Sequence, residues 1–325
     1  MAEINMAQAL NSALDIALTE DPNVVLLGED VGTTGGVFRV TDGLAQVHGP
    51  ERVIDTPVAE SGIVGTAFGM AVAGMHPVVE IQFMGFAYPA FDQIISHVSR
   101  IRNRSRHRFT APMVIRIPFG GGIGAAEHHS ESTEDLFAQV PGIKTVVPSG
   151  PYDAKGLLLQ AIADPDPVVF LEPIRSYRAT KEDVPEDHFT VPIGQAALVR
   201  EGDDVTLVSY GAMMREVLAA ADALVDAGYS PEVLDLRTLS PWDSATVVAS
   251  VSKTGRAVVV QEAPRTAGFA SEVAAVISER ALYSLAAPVE RVTGWDIVVP
   301  LRRAEHHHIP SVERVQAAAL RTLQA

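Results

Sequence analysis

The chain contains no cysteine, which excludes disulfides, thiolate catalysis and cysteine-based metal sites. It also lacks an apolar run long enough to span a membrane, and its amino terminus passes from MAEI straight into the amphipathic stretch MAQALNSALDIAL, without signal or transit features. A cytoplasmic location is therefore the expectation. Basic residues are scarce: 25 Lys and Arg stand against 40 Asp and Glu, a formal charge of −15. That balance opposes general binding to nucleic acid or an anionic membrane and favours basic partner surfaces. No GxSxG elbow, HExxH helix, dinucleotide fingerprint or P-loop is present. What remains is a chain of 325 residues, 47% hydrophobic and 20% charged, long enough for two domains with sizeable cores.

Apolar runs at 24–28 (VVLLG), 77–83 (PVVEIQF), 113–118 (MVIRIP), 143–148 (IKTVVP) and 167–173 (PVVFLEP) alternate with helical patterns. The alternation predicts a mainly parallel sheet with helices on both faces. Composition shifts across the polar, proline-bearing stretch 176–194, which reads as an interdomain connection. The expected division is a first domain at 1–178, a linker at 179–194 and a second domain at 195–325. The second domain repeats the alternation through DVTLVSYG, EVLDLRTL, AVVVQEAP and VERVTG. The fold class is thus α/β, with two doubly wound domains, the second smaller.

Between Asp55 and Glu80 the only acidic side chain is Glu60, at the head of an apolar helix spaced by Gly62, Gly65 and Gly69. Glycines at three- and four-residue spacing share one helix face. Each costs roughly 1 kcal/mol against Ala in a helix interior, so the pattern implies close approach by a neighbouring chain or a ligand. In such a dry setting a carboxylate must be hydrogen-bonded, neutralised or shifted upward in pKa, which suits proton chemistry. The same pattern is also met by a first-turn acid favoured by the helix dipole and partly wet.

The loop FGGGIGAAEHHSESTEDLF at 119–137 follows a predicted strand and precedes a helix capped by Ser132 or Thr133. In doubly wound sheets ligands sit in such loops. Its glycines match neither a dinucleotide fingerprint nor a P-loop. His128 and His129, in an extended segment, would point to opposite sides, so at most one faces a given site. The alternating arginines of RIRNRSRHRF at 100–109 read as a solvated or partner-facing edge, given the acidic remainder of the chain. His306, His307 and His308 are consecutive and do not converge on one ion.

At DTPVAESGIVGTAFGMAVAG the sequence resembles the beta subunit of the thiamine-diphosphate-dependent decarboxylating component of 2-oxo acid dehydrogenase complexes. The resemblance runs through LGEDVGTTGGVFRVTDGL, VVEIQFMGFAYPAFDQI, VIRIPFGGGIG, HHSES, PGIKTVVPSGPYDAKGLL, DPVVFLEP and VVVQEAPRTAGF, in order and over nearly the whole chain. It implies a pyrimidine-binding domain followed by a transketolase-type carboxyl-terminal domain, working in an α2β2 heterotetramer. It assigns Glu60 to the ring nitrogen of the cofactor's aminopyrimidine, where a proton or hydrogen bond favours the activating imino tautomer. Phe86 matches the aromatic residue that stacks on that ring, and His129 matches the histidine serving acyl transfer to a lipoyl arm. Ala161, Asp164 and Asp166 match a segment that holds a monovalent cation, K+, in some relatives.

The GDG motif that binds Mg2+ and diphosphate in thiamine enzymes is missing, and the nearest string, Gly202-Asp203-Asp204, lacks the final glycine. The resemblance places that site on the alpha subunit, so this chain alone is expected to be inactive. Further partners implied are a 2-oxo acid substrate and a lipoyl acyltransferase core, docked by charge on an acidic face of the second domain. The EHHSES form favours the branched-chain type over the pyruvate or acetoin types. Departures from the pattern are Glu131 in place of Gln, the arginine-rich 100–108 segment, and PLRRAEHHHIP near the end. Transketolase-like transfer of two-carbon units and a non-catalytic regulatory subunit of the same fold are the competing readings.

Overall fold

The computed structural model describes all 325 residues. Its strands are β1 (Ala2–Asn5), β2 (Val24–Gly28), β3 (Val53–Asp55), β4 (His76–Glu80), β5 (Val114–Phe119), β6 (Lys144–Val146), β7 (Val168–Pro173), β8 (Lys181–Val184), β9 (Ala197–Arg200), β10 (Val205–Ser209), β11 (Pro231–Asp235), β12 (Thr238–Ser240), β13 (Ala257–Pro264) and β14 (Glu290–Gly294). The first domain is a sheet in the order β12–β6–β7–β5–β4–β2–β3, parallel throughout except for β12. The second is β14–β13–β10–β11–β9, with β9 antiparallel. Strands β2, β5, β7, β10 and β11 are buried along their whole length, because helices cover both faces. No helix is long and apolar enough to cross a membrane.

The apolar run EVLDLRTL does not form one strand. Arg237 adopts φ +57 and its amide bonds Asp235 Oδ1 at 3.1 Å, so the chain turns. The part before the turn stays in the second sheet, while β12 crosses to pair with β6 of the first. The polar stretch at 176–194 is not loose either. β8 pairs antiparallel with β1, matching Ala2 to Val184, while Tyr177, Val184 and Val191 are buried. A single core of 38 buried residues runs from Ile63 and Val79 in the first domain to Val259 and Ile277 in the second. An apolar contact of that size joins the domains rigidly.

Three charged residues lie inside the first sheet, one on each of three neighbouring strands. Arg116 on β5 reaches Glu172 on β7 through two bonds, at 2.6 and 2.9 Å, and Glu80 on β4 at 2.7 Å. Tyr177 donates its hydroxyl to Glu172 at 2.5 Å. None of the four side chains is more than 4% exposed. The two carboxylates hold the guanidinium charged, raising its pKa against the effect of burial.

Candidate active site

The carboxyl ends of β2, β3, β4 and β5 lie side by side, and the segments that follow them carry the site. This is where a doubly wound sheet accepts ligands. After β3 the chain enters the helix Glu60–Val72, with Glu60 in its first turn and no side-chain cap. Ile63, Val64, Ala67 and Ala71 bury the inner face. The glycine face is open at two of its three positions: a Cβ on Gly69 would meet nothing within 4 Å and one on Gly62 only Ala59 at 3.6 Å, whereas one on Gly65 would lie 3.3 Å from Gln93 Oε1. Within this chain the close approach implied by the glycines is made only at Gly65, by Gln93.

Glu29, directly after β2, was not singled out in the sequence. It is 7% exposed, and its Oε1 has no hydrogen-bond partner. Burial raises the pKa of its carboxyl, and the charges of Glu60 and then Asp30 add to the shift, against the amide of Ala59. Glu60, half-buried at the helix start, thus acts through its charge on the buried Glu29 carboxyl.

After β4 the segment Met84–Ala90 packs along the Glu60 helix, and Ser61 Oγ donates to the carbonyl of Pro89. Phe86 projects from it, half-buried between the core shared by both domains and a second core confined to the first. Its ring centre lies 5.0 Å from that of His129 and 5.8 Å from that of His128. Phe83 joins from the other side, 4.6 Å from His129 and 5.5 Å from Phe86. Both histidines thus face Phe86, contrary to the alternation expected of an extended segment. His128 adopts φ +72, so the pair is not extended and the two rings are not on opposite sides. The approach is close: a Cβ on Gly85 would come within 2.4 Å of the His128 carbonyl. His129 Nδ1 lies 2.9 Å from the carbonyl of Glu127. A carbonyl can only accept, so Nδ1 carries a proton, and in the neutral ring Nε2 is left free to accept one.

The cap expected at Ser132 or Thr133 is not formed. The helix Asp135–Ala138 begins after Glu134, because Ser132 Oγ is turned to Glu262 and the Thr133 amide to Met84 Sδ. Glu134 is fully buried and accepts from Tyr210 of the second domain at 2.8 Å. Burial pushes its pKa up to about 8, with the charges of Asp135 and Glu262 adding to the shift and its own amide and Tyr210 opposing it. The folded protein then keeps a proton that an unfolded carboxyl, near 4.5, releases. The unfolded state binds fewer protons across that window, so this group lowers stability progressively as pH rises from about 4.5 to about 8. Glu134→Gln is expected to gain stability relative to the parent over the same range, by about 1–3 kcal/mol at pH 8 and little at pH 5. Thermal melts at several pH values check this, and a difference independent of pH would contradict it.

The residues assigned to a cation lie elsewhere, beyond β6 and before β7. Asp164 pairs with Lys144 and Asp166 with Arg102, each at 2.5 Å. Both carboxylates are thus engaged in ion pairs, which leaves the backbone carbonyls of the segment, that of Ala161 included, as the groups through which it would hold K+. Arg102 is thereby drawn out of the basic edge, while Arg100, Arg104, Arg106 and Arg108 stay exposed. The rings of His306 and His307 lie 3.8 Å apart and tilted by 43° on the short helix Glu305–His308, and His308 is buried.

For thiamine diphosphate, the site offers a paired carboxylate with an unpartnered oxygen and an aromatic ring with histidines beside it. That set fits the aminopyrimidine end. The residues that build it include no GDG segment for the diphosphate end.

Residues 2–180 match the family "Transketolase, pyrimidine binding domain", and residues 194–315 match "Transketolase, C-terminal domain". A solved structure titled "Split gene transketolase, inactive beta4 tetramer" superposes with a TM-score of 0.81 over 99% of both chains, at 24% identity. The protein is therefore of the transketolase-type, thiamine-diphosphate class.

Curated relatives narrow the class. "Pyruvate dehydrogenase E1 component subunit beta" of Acholeplasma laidlawii is 52% identical, covering 98% of this chain and 97% of its own. The protein of that name from Staphylococcus epidermidis is also 52% identical, over 100% of both. The chain belongs to the family of beta subunits of the thiamine-diphosphate-dependent decarboxylating component of 2-oxo acid dehydrogenase complexes. The names of these relatives give no support to the branched-chain preference drawn from EHHSES.

Proposed function

We propose that this chain is the beta subunit of a pyruvate-decarboxylating component, providing the proton-handling half of an active site completed by an alpha subunit. One observation carries the reading: Glu29 with Glu60, and Phe86 with His129, lie in the segments that follow neighbouring strands of one parallel sheet, and those segments hold no diphosphate-binding loop. Thiamine diphosphate, when bound, supplies the carbon nucleophile and electron sink for decarboxylation. Glu60 holds or donates a proton at the aminopyrimidine nitrogen, with Glu29 as its buried neighbour. Phe86 orients the ring by stacking. His129, through Nε2, exchanges a proton with the thiol or thiolate of a lipoyl arm during acyl transfer. The first-domain limit near 178 and the glycine face, open at Gly62 and Gly69, complete the reading, the face as a contact for another subunit within an α2β2 assembly. Mg2+ is assigned to the alpha subunit, and the lipoyl acyltransferase core is the downstream partner.

Co-expression with a GDG-bearing alpha chain tests this. The complex is expected to decarboxylate pyruvate with kcat/KM at least about tenfold above that for branched 2-oxo acids, the scale on which pocket fit discriminates added methylenes. Preference for a branched acid would return the subunit to the branched-chain type. Turnover of sugar phosphates instead would establish the transketolase-like alternative.

A further inference from the structure

The loop that bears His128 and His129 is held by carboxylates of the second domain. Glu305 Oε1 accepts from the Gly122 amide at 2.8 Å and from Ser130 Oγ at 3.4 Å, while Oε2 accepts from the Gly124 amide at 2.9 Å. Beside it, Glu262 on β13 accepts from the Gly121 amide and from Ser132 Oγ. Both side chains are buried, at 6% exposure. Gly120, Gly122 and Gly124 all have positive φ, and a Cβ on Gly121 would sit 2.9 Å from Glu305 Oε1. The loop is therefore wrapped around the two carboxylates, and its amides are directed at them rather than at a ligand.

Beyond the clamp, the side chains of Arg175 and Arg302 lie against Gly122 and Gly124, and few backbone bonds hold the loop. Gly120 donates to the Glu131 carbonyl at its base, and His129 to that of Ala126 at a long 3.3 Å. Its far end lies against Gly85 and Phe86. The position of the two imidazoles is thus set by the clamp on one side and the aromatic cluster on the other.

We propose that Glu305, supported by Glu262, is a positioning residue for acyl transfer: through the Gly122 and Gly124 amides it holds His128 and His129 at the mouth of the site. The inference rests on the reading of His129 given above. It makes the second domain a participant in acyl transfer, not in decarboxylation. A glutamine at 305 keeps the shape but replaces one acceptor oxygen with an NH2 donor, so one amide is left facing a donor. Displacing a catalytic group by about 1 Å can cost on the order of 10²-fold in rate.

The test uses the assembled heterotetramer carrying Glu305→Gln, with two readouts. Hydrogen exchange at the Gly122 and Gly124 amides should accelerate by about tenfold or more. Acylation of a free lipoyl domain should fall by roughly 10- to 100-fold, while decarboxylation read with an artificial oxidant stays within about twofold. Unchanged exchange would overturn the clamp. Faster exchange with undiminished acylation would overturn the positioning role, provided His129→Ala in the same assay does abolish acylation. If His129→Ala also leaves acylation intact, the reading of His129 fails, and the positioning role falls with it while the clamp stands. Should Glu305→Gln not assemble, Glu305→Asp retains the charge, draws the oxygens back by one methylene and is judged by the same readouts.

Discussion

Glu60→Gln is expected to lower thiamine-dependent decarboxylation by the assembled enzyme about 10²- to 10⁴-fold, the usual contribution of a positioned acid or base. Glutamine preserves the length and first-turn geometry of the side chain, so the helix Glu60–Val72 and its buried face are left unchanged. What disappears is a group able to carry a proton. If Glu60 served only the helix dipole, the same change would cost about 0.3–1 kcal/mol of stability and nothing in turnover. The two readings are separated by steady-state turnover with saturating alpha subunit, together with a melting curve. Glu29 offers a second check, because the Glu60 charge is one of the causes that raise its pKa. In the variant the Glu29 carboxyl should titrate lower, and carbonyl-region infrared difference spectra across pH can follow it. Full turnover in a well-assembled Glu60→Gln complex would sink the assignment.

The largest effect on stability is expected from Arg116→Met. Arg116 is the only cation between Glu80 and Glu172, and all three side chains are buried. Removing one partner of a buried ion cluster leaves uncompensated charge, which costs about 3–5 kcal/mol. A companion carrying Glu80→Gln, Arg116→Met and Glu172→Gln should recover much of that loss, since no charge then remains unpaired. Denaturant midpoints of the parent, single and triple forms give the comparison. A single variant within about 0.5 kcal/mol of the parent, the level of an ordinary surface substitution, would show that the cluster is not holding the sheet.

The strands, the two-domain plan and the Glu60 helix were legible because apolar period and glycine spacing are local properties of the chain. Phe86 came into view only through the family resemblance and His129 also through its loop, while their proximity depends on the segments after β4 and β5 lying side by side. Glu29 was hidden by its neighbours: in GED it reads as the start of a surface loop, and only the strand order β3–β2–β4 brings it beside Glu60. The histidine pair was misread because His128 takes a left-handed conformation that no pattern of side chains announces. The buried ion cluster did leave a trace, a single charge in each of PVVEIQF, VIRIPF and VVFLEP. Reading it required knowing that β4, β5 and β7 are neighbours. Glu305 lay furthest from legibility, because it meets Gly124 from 181 positions away.

The strand β12 crosses from the second domain to complete the edge of the first sheet at β6. The two domains are therefore separate in chain order but not in hydrogen bonding. A fragment ending near residue 194 would bare the outer side of β6, a row of unpaired amides and carbonyls that invites another chain to add on. Swapping the second domain for that of a relative would meet the same obstacle unless the donor brought a strand that fits β6. Transplants within this fold are thus constrained at a seam remote from the chemistry, and a chimaera with an intact catalytic cleft can still fail by aggregating through that edge.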